Sequence, residues 1–179
     1  MIKNSSAGEK RLLLRRLIVF GAVGFILAIA QCSFFSRLKP FGASPDLILG
    51  SLCAIILLDG KKCGAVYAVA VGYFIDAIGS VPPSFSPVFY LLCTVILGMI
   101  AEKMMPRFVS FAVLMLPAIM LRAVFTYFNL WLSSAVRPTL GAFAHIALPE
   151  MLSTAVFCLP VYFIIRLCMY PIKQESFRR

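Results

Sequence analysis

Acidic residues are scarce in this sequence: Asp and Glu together number 7 in 179 residues, and there is 1 histidine. A chain so poor in carboxylate and imidazole has little with which to build a metal site or an acid/base pair. The six cysteines (Cys32, Cys53, Cys63, Cys93, Cys158, Cys168) do not make up the shortage, because none forms a C-x-x-C pair and all lie in or beside apolar runs. Free cysteine in such surroundings is a small hydrophobe, so neither a disulfide framework, a metal nor any other cofactor is expected. Charge of either sign is thin as well: 13% of residues are charged, against about 25% in soluble domains. With 61% hydrophobic residues, too little polar surface exists to coat a water-soluble globule. Linker-like stretches, charge blocks and internal repeats are also missing, which predicts one membrane domain at 17–170 with short tails at 1–16 and 171–179.

What is present is a basic excess, with 17 Lys and Arg and a formal charge of +10. Its placement argues against nucleic acid as a partner. Lys3, Lys10, Arg11, Arg15 and Arg16 precede the first apolar run, and Lys173, Arg178 and Arg179 follow the last. Charge in those positions sets topology and meets anionic lipid headgroups. Residues 10–30 imitate a signal peptide, with Ala28-Ile29-Ala30 as an A-x-A site. The run continues to Phe35 and further apolar segments follow, so a signal anchor is the simpler reading, and Gln31 before Cys32 spoils a lipoprotein box.

Six apolar segments can be traced. Leu17 to Phe35 is 19 uncharged residues, enough at 1.5 Å each to cross a core of about 30 Å. Leu47 to Leu58 is shorter and follows Ser44-Pro45-Asp46, read as a helix start with Ser44 as cap and Pro45 in the first helical position. Cys63 to Gly79 comes next and ends in the breaking loop Gly79-Ser80-Val81-Pro82-Pro83-Ser84. Then come Pro87 to Ala101, Phe108 to Leu132, and Ala142 to Met169, the last expected to kink at Pro149 and Pro160. Continuous rather than alternating hydrophobicity excludes a β-barrel.

With six spans and a cytoplasmic N-terminus, thirteen cations fall inside and only Arg37, Lys39 and Arg137 outside, as the positive-inside rule requires. A four-span alternative, with segments two and three as a re-entrant hairpin, would strand Lys61 and Lys62 outside. Three ionisable residues remain within the apolar segments: Asp76, Arg122 and Glu150. Counted along their helices they fall roughly 19 to 21 Å from the inner edge or about 12 Å from the outer one. Charges at such depth face the bundle interior and pair, so Arg122 is expected to bond Asp76, Glu150 or both. The bland reading is a packing staple; the functional one is a docking point for a partner helix or a lipid-linked substrate.

Gly64, Ala68, Gly72 and Asp76 recur at four-residue spacing, placing small residues on one helix face. Ordinary intramolecular packing is the plainer explanation, and a homodimer or partner interface the alternative. His145 reads as interfacial rather than as a ligand, and Trp131, Tyr127 and Tyr170 as interfacial aromatics or core.

Ser44-Pro45-Asp46-Leu47-Ile48-Leu49, then Asp59-Gly60-Lys61-Lys62-Cys63-Gly64, Gly72-Tyr73-Phe74-Ile75-Asp76 and the stretch from Tyr90 to Gly98 together resemble the MreD family of bacterial rod shape-determining proteins. The outline covers the whole chain and the recognisable motifs about a third. The resemblance implies an all-α, polytopic bundle similar to the substrate-binding subunits of energy-coupling-factor vitamin transporters. It also implies an inner-membrane subunit that binds the single-span protein MreC and works with the MreB filament and the RodA glycosyltransferase and its transpeptidase. Pro45, Asp46, Gly64, Gly72 and Asp76 match the family motif; Arg122 and Glu150 come from depth alone. The loop from Val81 to Pro87 departs from the shorter Gly-rich loop of the family.

Against this scaffold reading stand a transporter subunit and an intramembrane enzyme. An aspartyl protease would need two carboxyls sharing a proton, whereas Arg122 between Asp76 and Glu150 would keep both ionised. No G-x-S-x-G elbow or metal motif occurs. A pocket built from Trp131, Asn129 and Arg122 would favour the transporter.

Overall fold

A computed structural model describes residues 7–78, 86–133 and 140–177, with backbone alone at 7–13, 133, 140, 142 and 170–177. Helix α1 (Ala7–Ile29) continues into a π-helical turn (Ala30–Phe35), a short α2 (Ser36–Leu38) and a 3-10 turn (Pro40–Gly42). Four further helices of the bundle are α3 (Leu47–Asp59), α4 (Lys61–Ile78), α5 (Ser86–Ala101) and α6 (Phe108–Ser133), and α7 (Leu140–Phe177) completes it. No strand occurs among the described residues.

Among the described residues three stretches are long and apolar enough to cross a membrane: Leu14–Leu38, Phe108–Leu132 and Phe143–Met169, of 25, 25 and 27 residues. Large apolar side chains face outward all round the bundle, among them Ile26, Leu116, Val124 and Leu167 at 65%, 65%, 67% and 75% exposure. Such a surface requires hydrocarbon around it, and the protein is a membrane protein.

The shortest helix of the bundle lies at its centre. Of the 13 residues of α3, 11 are buried, and α3 packs against α1, α4, α5, α6 and α7 alike. A helix apolar on every side is a buried helix, which is why LILGSLCAIILL carries no polar stripe.

Contacts between distant residues fix the direction of each helix. Arg16 near the start of the apolar part of α1 meets Asp59 at the end of α3, and Lys61 opening α4 meets Glu102 just beyond α5. Phe108 at the start of α6 lies against Tyr162 late in α7, ring centroids 5.7 Å apart. At the other end Gln31 reaches Ile48. Successive helices therefore alternate in direction, and the start of α1 lies at the same end as the late part of α7.

One expectation changes. Asp46, not Ser44, caps α3, its Oδ1 accepting the Leu49 N–H at 3.0 Å; Pro45 precedes the cap instead of opening the helix. A carboxylate does there what the exposed Ser44 cannot, because the cap is buried. The last helix is described from Leu140 to Phe177 and takes in Pro149, Pro160 and residues 171–177. The small-residue face of α4 is filled by its own chain: a Cβ on Gly64 would lie 2.7 Å from Ile56 Cγ1, and one on Gly72 2.6 Å from the Pro87 backbone. This is the intramolecular packing expected from the sequence as the plainer explanation. The helix-breaking loop at 79–84, the family difference at 81–85 and Arg137 lie outside the described residues.

Candidate functional site: a buried carboxylate hub at the start of α3

A helix that begins inside a bundle leaves its first N–H groups without intrahelical partners, and in hydrocarbon no water replaces them. The start of α3 meets this need from three sides. Asp46 accepts the Leu49 N–H, and Gln31 Oε1, on the π-helical turn after α1, accepts the Ile48 N–H at 3.3 Å. The Asp46 N–H itself donates to Thr154 Oγ1 at 3.0 Å, and its carbonyl accepts from Cys158 Sγ at 3.4 Å. Gly50 allows this approach of α7, since a Cβ there would lie 2.6 Å from Cys158 Cβ.

The Asp46 carboxylate, 1% exposed, also receives the Tyr90 hydroxyl, 3.0 Å from each oxygen, and Arg122 Nη1 at 3.2 Å from Oδ2. From the same guanidinium Nε donates to Glu150 Oε1 at 2.9 Å. Thr126 Oγ1 donates to Glu150 Oε2 at 3.1 Å. One residue thus ties α3 to α5, α6 and α7. Arg122 is further held over aromatic rings, its Cζ 5.7 Å from the Phe89 centroid and 6.0 Å from that of Phe125; those two rings stack at 4.2 Å. The guanidinium faces two carboxylates, and the α3 N-terminus adds roughly half a positive charge beside them.

Of the residues singled out from sequence, Arg122 and Glu150 are bonded as expected, while the second acid on Arg122 is Asp46 rather than Asp76. Asp76 is half-buried near the end of α4 and has a partner of its own. Pro45 is buried directly ahead of the hub, and Ala68 is fully buried on α4. His145 is exposed on α7, and Tyr127 and Trp131 face outward at 40% and 50% exposure. Tyr90, Thr126, Thr154 and Gln31 had not been singled out. The signal that finds Asp46 is helix length: 13 residues from Asp59 is about 20 Å, the depth already assigned to Arg122.

Two openings adjoin the hub. A crevice between α6 and α7, lined by Ile119, Arg122, Ala123, Glu150, Met151 and Thr154, is too narrow for a water molecule. An apolar cleft of about 660 Å³ between α5 and α6 has Phe89, Leu92, Leu121, Phe125 and Phe128 among its walls. Neither is built from Trp131 and Asn129. A second buried polar contact, Ser51 Oγ to Tyr67 Oη at 2.5 Å, joins α3 to α4. No family model, curated protein or solved structure matches the chain.

Proposed function

We propose that this chain is a non-catalytic subunit of the bacterial cell-elongation complex, an MreD-like scaffold that binds an MreC-like single-span protein and supports lateral peptidoglycan synthesis and rod shape. MreB filaments and the RodA/transpeptidase pair are its indirect partners. It crosses the cytoplasmic membrane six times with both termini in the cytoplasm, and meets lipid elsewhere. The observation that carries this reading is the start of α3: Pro45-Asp46, which with the Gly-spaced helix ending in Asp76 is the most specific part of the MreD resemblance, is where α3, α5, α6 and α7 are bonded together. A motif residue spent on holding helices together suits a scaffold whose product is a shaped surface. Affinity purification from native membranes tests it. An MreC-like partner is the expected companion; an ATPase pair with a coupling subunit would overturn it.

That second outcome belongs to the transporter reading, favoured by one observation. A helix N-terminus sunk in a bundle beside an ion cluster is the arrangement with which broken-helix transporters hold substrates.

A further inference from the structure

The tip that joins α1 to α3 is built at a cost and then left exposed. Lys39 (φ 39°) and Phe41 (φ 60°) both take left-handed backbone, where bulky L-residues are rare. The conformation is held, since the Lys39 N–H donates to the Phe35 carbonyl at 3.0 Å and the Gly42 N–H to the Lys39 carbonyl at 2.8 Å. Phe35 pins the tip to α7 edge-on against Phe157, centroids 5.0 Å apart. What the pinned backbone holds outward is a mixed surface: Phe34, Leu38 and Phe41 at 59%, 59% and 62% exposure, with Arg37 and Lys39 exposed among them. Neither cation has an acidic partner among the described residues. The apolar stretch Leu14–Leu38 ends within this tip, which puts the tip at a bilayer boundary, and in the proposed topology it is the outer one. Cations there run against the positive-inside rule, so their adjacency needs a reason.

We propose that the tip is a binding site for anionic phospholipid of the outer leaflet. Phe34, Leu38 and Phe41 enter the acyl region, and Arg37 and Lys39 take the phosphate. Charge complementarity selects the headgroup, and the interleaved apolar side chains select a lipid over an acidic protein segment. The side of the membrane rests on the topology proposed above; the headgroup chemistry does not.

The test places a single fluorophore at the tip with Phe41→Trp in a Trp131→Phe background, in vesicles of phosphatidylcholine containing brominated phosphatidylglycerol or brominated phosphatidylcholine. Quenching should favour phosphatidylglycerol, with an enrichment of about fivefold per cation, and Arg37→Gln with Lys39→Gln should erase the preference. Both side chains are exposed, so an unchanged melting temperature checks that the double variant folds. A tip unquenched by either lipid, or quenched equally by both before the cations are removed, would overturn the proposal. Labelling of Lys39→Cys by a membrane-impermeant maleimide on intact cells, in a background with the six native cysteines replaced by serine or alanine, reports the side separately. If it stays unlabelled while the preference holds, the topology fails and the lipid site survives on the other leaflet.

Discussion

The Asp46 carboxylate serves three donors at once, and its removal strands groups on α3, α5 and α6. Asp46→Ala leaves Arg122 Nη1, the Tyr90 hydroxyl and the Leu49 N–H facing apolar surroundings. Breaking one partner of a buried ion pair costs about 3 to 5 kcal/mol, and thermal melting in detergent followed with a thiol-reactive dye should show that loss. Asp46→Asn keeps the shape and an acceptor for Leu49, so a smaller loss of about 1 to 3 kcal/mol is expected. Arg122→Met should destabilise strongly alone, yet combined with Glu150→Gln the two losses should add to less than their sum, because Arg122 Nε is bonded directly to Glu150 Oε1. In cells Arg122→Ala should act mainly by loss of protein; rounding at normal protein level would instead indicate a docking role.

At the scale of helices, two glycines give opposite expectations from one substitution. Gly72→Ala drives a methyl into the Pro87 backbone at 2.6 Å, which cannot move aside like a flexible side chain, so a loss of about 1 to 3 kcal/mol is expected. Gly21→Ala meets nothing within 4 Å and should raise the melting temperature, since alanine is favoured over glycine in a helix by about 1 kcal/mol. Most helix limits were legible in the sequence within a few residues, because long apolar runs and their Pro, Gly and charge boundaries are local signals. The centrality of α3 was not. Nothing local separates a short apolar span from a short apolar core, and only the partners of Asp46, up to 112 residues away, decide it. The pairing of Arg122 with Glu150 followed from depth. Asp46 escaped the same count because it stands before the apolar run Leu47 to Leu58 rather than within it.

For the molecule as a whole, the alternation of helix directions makes the proposed topology checkable. With the six native cysteines replaced, Lys62→Cys should resist an impermeant maleimide on intact cells and react once the membrane is opened; labelling before opening would sink the six-span arrangement. Arg16 and Asp59, joined at 2.7 Å, hold the first and third helices at that end. Placing the smallest helix innermost also has a consequence for biosynthesis. Asp46 leaves the ribosome 108 residues ahead of Thr154, which at 5 to 20 residues per second is roughly 5 to 20 seconds. Its carboxylate waits 44 residues for the Tyr90 hydroxyl and 76 for the Arg122 guanidinium, and its N–H waits the whole interval for Thr154. A nascent chain of this design therefore needs a shelter for an unfinished centre, either the headgroup layer or an insertase, and the last helix to be made is the one that closes it.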